Sequence, residues 1–148
     1  MGKEGWMSDL VGEFHHKLDA KGRVSLPADF RRSLPENLKV TLSPEDECLY
    51  VFEPDAFSAW VDSFFEEDGG YKSRSRRHVN LRRVLNARAR NIEVDTAGRI
   101  NISADLRSDA GLDKEVVIVG DTDHLEIWDA KRWDEFIGGV NLADLMSD

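Results

Sequence analysis

The chain is poor in the residues that staple, span or catalyse. It holds one cysteine, Cys48, so no disulfide can close within it, and a reducing cytoplasm is the expected compartment. No apolar run approaches the roughly 20 residues that cross a bilayer, and residues 1–9 lack the apolar centre of a signal peptide. A glycine-rich phosphate loop, cysteine pairs at ligand spacing and a His-Glu-x-x-His motif are all missing. His15 and His16 are adjacent, and adjacent strand residues point to opposite faces, so they are not expected to hold a metal together. Asp19, Asp95, Asp29 and Asp105 sit at turns and helix starts, where structure alone accounts for them. The expectation is a protein that is not an enzyme, with no metal, cofactor, membrane or small-molecule substrate. Cys48 reads as a packed bystander rather than a nucleophile.

What is present is an ordinary soluble composition with unusual charge placement. The 148 residues are 41% hydrophobic and 33% charged, enough for one compact domain. A net charge of −9 argues at first against nucleic acid. Yet residues 71–92 contain no acid and eight cations: Lys72, Arg74, Arg76, Arg77, Arg82, Arg83, Arg88 and Arg90. The rest of the chain keeps 12 basic against 29 acidic residues, so the charge is segregated.

The sequence also repeats. Leu18-Asp19-Ala20-Lys21-Gly22-Arg23-Val24-Ser25-Leu26-Pro27-Ala28-Asp29-Phe30-Arg31 returns 76 residues later as Val94-Asp95-Thr96-Ala97-Gly98-Arg99-Ile100-Asn101-Ile102-Ser103-Ala104-Asp105-Leu106-Arg107, with six of fourteen positions identical. The same offset pairs Val40-Thr41-Leu42 with Val116-Val117-Ile118, Leu49–Glu53 with Leu125–Asp129, and Phe57 and Trp60 with Trp133 and Phe136. A register held this long marks a duplicated structural unit. Two units this small are expected to share one core.

Each unit reads as strand, turn, strand, short helix, strand, strand, helix. Phe14–Leu18 and Arg23–Leu26 have strand patterns around Asp19-Ala20-Lys21-Gly22, where Asp can bond its own backbone and Gly22 can take positive φ. Asp95 and Gly98 form the matching turn. Pro27 suits a first helical position; in the second copy Ser103 suits an N-cap and Gly111 a C-terminal stop. Apolar residues at 57, 60, 61, 64 and 65 form a helical stripe, and Leu81, Val84 and Leu85 predict a third helix within the basic segment. That segment has two readings: a helix whose arginines pair with acids elsewhere, or part of a phosphate-facing surface. The Gly-Arg turns also have two. The arginine can brace its nearby Asp, or the turn can display a guanidinium to anions or base edges.

Leu18 to Pro27, the second Asp95-Thr96-Ala97-Gly98-Arg99-Ile100, the Asn86-Ala87-Arg88-Ala89-Arg90 lead-in and Leu125-Glu126-Ile127-Trp128 together resemble the MraZ family of bacterial transcriptional regulators, relatives of the AbrB-type swapped-hairpin factors. The resemblance covers roughly residues 10–137. It implies an α+β fold in which duplicated swapped-hairpin units form a pseudo-twofold β-barrel with flanking helices. With the patterns above, the expected organisation is a flexible lead-in over 1–12, which lacks periodicity, repeats over 13–68 and 89–137, a basic connecting helix over 69–88 and a tail over 138–148. It further implies a homo-oligomeric ring, cytoplasmic and nucleoid-associated, that binds G-rich direct repeats in double-stranded promoter DNA of the division and cell-wall gene cluster, generally as a repressor. Carried over by motif, Lys21, Arg23 and Arg99 are the DNA-contacting residues, with Lys17 and Arg31 as flanking candidates. Ala97 replaces the first copy's lysine, so the first turn is expected to read DNA more strongly. The alternative expectation is an antitoxin-like or structural protein-interaction module with the same fold.

Overall fold

A computed structural model describes residues 9–147. The first half runs β1 (Glu13–Lys17), β2 (Arg23–Ser25), α1 (Ala28–Ser33), β3 (Asn37–Leu42), β4 (Leu49–Phe52) and α2 (Pro54–Ser63). After α3 (Arg76–Arg88), the second half repeats that order as β5 (Arg90–Glu93), β6 (Arg99–Asn101), α4 (Ala104–Asp109), β7 (Glu115–Gly120), β8 (Leu125–Asp129) and α5 (Ala130–Gly138). A short α6 (Leu142–Met146) follows, capped by Asn141, so the segment expected as a tail carries a helix.

The fold is mixed α/β around a six-stranded antiparallel sheet of order β1-β7-β8-β4-β3-β5, with β2 and β6 forming a separate two-stranded ribbon. The order is symmetric under exchange of the halves. The first strand of each half pairs with the third strand of the other, Phe14 opposite Ile118 and Leu38 opposite Ile92, while β4 and β8 meet at the centre. The expected barrel is not closed: β1 and β5 remain edges of the large sheet, and the ribbon is a second sheet. β2 stops at Ser25 because Pro27 has no N–H to donate and the chain turns into α1.

Strand alternation divides the apolar residues between two layers. Leu49 and Val51 of β4, with Val116, Ile118, Leu125 and Ile127, face a core shared by both halves, which Val24 and Ile100 of the ribbon close from the other side. The outer face of the sheet is covered differently in each half. Phe52 meets Phe57 and Val61 of α2, Phe65 and Leu85 of α3. Val117 and Trp128 meet Cys48 and Trp133 of α5. Leu85 is buried and Leu81 packs beside it, whereas Val84 points to solvent, so the apolar line of α3 is narrower than its spacing suggests.

Several local expectations are adjusted. Pro27 is the N-cap residue of α1 rather than its first helical position. Ser103 holds the N-cap position of α4 but does not cap it, because its hydroxyl is taken up by the Arg90 guanidinium. Gly111 ends that helix with φ +68°. Of the lead-in, residues 1–8 lie outside the described residues, and Leu10 is tied down: it is buried and exchanges two backbone hydrogen bonds with Thr122. No helix among the described residues is long and apolar enough to cross a membrane.

Candidate nucleic-acid interface

The two repeated turns are built alike. Asp19 Oδ1 accepts the backbone N–H of both Lys21 and Arg23 at 2.9 Å, and its Oδ2 accepts Arg23 Nε at 2.7 Å. The Gly22 N–H donates to the Asp19 carbonyl at 3.0 Å. Asp95 does the same with Ala97, Arg99 and Gly98, its contact to Arg99 Nε being 3.1 Å. The Arg23 N–H and guanidinium, with the Lys21 N–H, hold the Asp19 carboxyl down at about 2, and the Asp95 carboxyl is lowered by the equivalent donors. Both readings of the Gly-Arg turn are therefore compatible. The Asp fixes Nε, while the two terminal nitrogens of each arginine have no partner among the described residues and carry the fork that can bind bidentately.

The glycines are required by space as well as by φ. At Gly22 (φ +84°) a Cβ would stand 2.6 Å from the Ile102 carbonyl oxygen; at Gly98 (φ +81°) it would run into the Arg31 guanidinium. Each turn is thus packed against the other half. Ile102 N–H donates to the Gly22 carbonyl and Leu26 N–H to the Gly98 carbonyl, both at 2.9 Å.

β2 and β6 pair with Arg23 opposite Asn101 and Ser25 opposite Arg99. Val24 and Ile100, buried in the core, fix which face is inward, so Arg23, Ser25, Arg99 and Asn101 share the outward face. Arg23 and Arg99 are diagonal neighbours on it, a spacing of about 7–8 Å. The turns lie at opposite ends of the ribbon, with Lys21 exposed on one and Ala97 on the other.

The structure brings Lys21, Arg23 and Arg99 onto one surface. Arg31 is not beside the first turn, as chain order suggests, but over Gly98 of the second, because α1 leaves β2 next to the start of β6. Its counterpart at the 76-residue offset, Arg107, lies over Gly22 and donates from Nε to the Ile102 carbonyl at 3.1 Å. The family resemblance does not imply Arg107, but the sequence repeat pairs it with Arg31. Lys17 is exposed at the end of β1, opposite Glu115.

Several of the eight cations of the basic segment are occupied internally. Arg77 pairs with Asp68 at 2.6 Å, Arg90 with Asp105 at 2.5 Å and Arg88 with Asp46 at 3.3 Å, the last also reaching the Leu42 and Ser43 carbonyls. Arg82 sits 3.5 Å over the Tyr71 ring. Two of the five α3 arginines, Arg77 and Arg88, thus pair with acids elsewhere, and Arg90 does so just beyond the helix. Cys48 is 1% exposed and packed in the core, and its burial, with Glu126 beside it, pushes the thiol up.

The fold and this surface define a class: an internally repeated α/β protein with a cationic two-stranded ribbon on one face. A family profile described as "MraZ protein, putative antitoxin-like" matches residues 10–78 and 85–147. The chain is 38% identical over 141 residues to a protein of Lachnoclostridium phytofermentans, covering 94% of this chain and 96% of the relative. It is 42% identical over 136 residues to one of Nocardioides sp., covering 89% and 88%. It is 34% identical over 128 residues to one of Treponema denticola, covering 86% and 87%. All three relatives carry the name "Transcriptional regulator MraZ" rather than that of an enzyme. The chain belongs to the MraZ family.

Proposed function

We propose that this chain is a sequence-specific DNA-binding transcriptional regulator whose β2–β6 ribbon enters the major groove. The observation that carries the reading is the diagonal pair Arg23 and Arg99, Nε-braced by Asp19 and Asp95, on the outward face of a ribbon. A major groove about 12 Å wide admits such a ribbon, and a bidentate arginine–guanine contact is worth about 1–3 kcal/mol of discrimination. Arg23 and Arg99 read guanine O6 and N7; Lys21, Arg31, Arg107 and Lys17 hold phosphates. The acidic balance of the rest is no obstacle, since local charge governs phosphate contact.

In this reading the exchanged pairings, β1 with β7 and β5 with β3, are those of AbrB-like swapped hairpins. The repeats span 13–68 and 89–137, joined by the 69–88 connection, and one chain provides the pseudo-twofold unit. Protomers assemble into a homo-oligomeric ring that engages G-rich direct repeats in the promoter of the division and cell-wall cluster and represses it in the nucleoid. Several modest tips gain affinity through effective concentration. The test is a titration against promoter fragments with one, two and three repeats, with light scattering to count protomers. Affinity should climb with repeat number, and binding indifferent to it contradicts the multivalent mechanism. The family description's "antitoxin-like" favours one other reading, a protein partner encoded beside this gene; absence of DNA binding together with a neighbouring small toxin gene would select it.

A further inference from the structure

Outside the ribbon, one cluster of side chains has the geometry of a ligand site. We propose that Asp121, His124 and Glu126, at the β7–β8 turn, bind one divalent transition-metal ion of the zinc class. His124 and Glu126 are two apart and share the outer face of the sheet, and the turn returns Asp121 to them. His124 Nε2 lies 3.5 Å from Asp121 Oδ2 and 3.2 Å from Glu126 Oε2, and one donor atom from each residue falls within 4.8 Å of the others. With metal–ligand distances of about 2.0–2.2 Å, the edge of a tetrahedral site is roughly 3.3–3.6 Å. The two distances from Nε2, 3.2 and 3.5 Å, already lie close to that edge. One nitrogen with two carboxylates suits zinc and its neighbours, with water in the fourth position.

The ligands are held from behind as metal ligands are. His124 Nδ1 lies 2.7 Å from Asp123 Oδ1, which accepts its N–H, and a metal ion at Nε2 would replace the proton that Nε2 otherwise donates to Glu126. Trp128 Nε1 donates to Glu126 Oε1 at 2.8 Å, so Oε2 is the oxygen turned to the site. The imidazole is wedged between Phe52, stacked at 5.1 Å, and Tyr50 at 4.5 Å. Asp121 is exposed and provides the path from solvent.

The fold does not demand this cluster. At the 76-residue offset Asp121, His124 and Glu126 correspond to Glu45, Cys48 and Tyr50, and the first turn still forms, with Asp46 at φ +60° matching Thr122 at φ +64°. The imidazole of His124 and the carboxylate of Glu126 are thus specific to one copy. Three carboxylates, those of Asp121, Asp123 and Glu126, crowd a single imidazole, an arrangement that a divalent cation relieves. A bound ion would clamp the turn whose Thr122 holds Leu10 in the core.

The test uses the full chain, freed of metal, titrated with zinc chloride and in parallel with magnesium chloride by calorimetry, and with cobalt(II) followed by visible absorption. One zinc per chain, no saturable magnesium heat and a tetrahedral cobalt spectrum are expected. Asp121→Asn, at an exposed position, and Glu126→Gln, which keeps an oxygen for Trp128, should each weaken zinc at least tenfold, while His15→Ala changes nothing. No saturation at one zinc per chain, unchanged affinity in both variants, or loss on His15→Ala alone would overturn the proposal.

Discussion

Alanine at the three glycines of positive φ that end or begin repeated elements separates three costs. Gly111 has φ +68° and nothing within 4 Å of a would-be Cβ, so Gly111→Ala isolates the backbone penalty, about 1–2 kcal/mol. Gly98→Ala adds a collision with Arg31, whose long side chain can swing away. Its stability loss should stay close to that of Gly111→Ala. Gly22→Ala instead meets a backbone oxygen at 2.6 Å, that of Ile102, whose own N–H is bonded to the Gly22 carbonyl. Neither atom can retreat without opening the junction between the halves. Overpacking of about 1–3 kcal/mol then adds to the φ term, for a total of about 2–5 kcal/mol. At this chain length each kcal/mol lowers Tm by about 2–4 °C. Calorimetric melting of the three variants beside the parent reads the order directly. If Gly22→Ala melts with Gly111→Ala, the inferred backbone collision is wrong. Gly98→Ala should nonetheless lose DNA affinity, because it displaces Arg31 from the second tip; full affinity would remove Arg31 from the surface.

Three further outcomes are expected. Because the folded Asp19 carboxyl titrates at about 2, below its ordinary value, its brace contributes fully above about pH 4 and is lost as pH falls toward 2. The stability gap between parent and Asp19→Asn should close over that range in urea titrations, and a constant gap would deny the brace. Ile100→Ala, at a fully buried position shared by both halves, should cost about 2–5 kcal/mol in chemical unfolding, and a loss under 1 would mean the ribbon does not seal the core. Lys21→Ala should flatten the salt dependence of DNA binding by about 0.9 per engaged tip, and Ala97→Lys should steepen it; slopes that do not move would take the turns off the phosphates.

Local chemistry is readable in the residues themselves, whereas exchange between the halves is implied only by the family resemblance. The Asp-x-x-Gly-Arg turns, the short helices after them and α3 follow from spacing, glycine placement and a few apolar positions, all of which act within a few residues. The exchanged strand pairings join residues far apart in the chain, Leu38 with Ile92 and Phe14 with Ile118, which a linear reading assigns to neighbours. That is why chain order puts Arg31 beside its own turn while β2–β6 pairing carries it to the other, with Arg107 crossing the opposite way. The His124 cluster was hidden for a related reason: its ligands straddle a turn, and only the fold shows that Asp121 comes back to Glu126.

The central claim is that the ribbon arginines read DNA while their asparagine- and serine-flanked scaffold stays intact. The most direct measurement is the affinity of the Arg23→Ala/Arg99→Ala double variant for the fragment upstream of its own gene, with light scattering and melting on the same samples. Unchanged assembly and Tm, with specific binding abolished, are expected. Specific binding at the parental affinity, with both guanidinium groups gone, would contradict it.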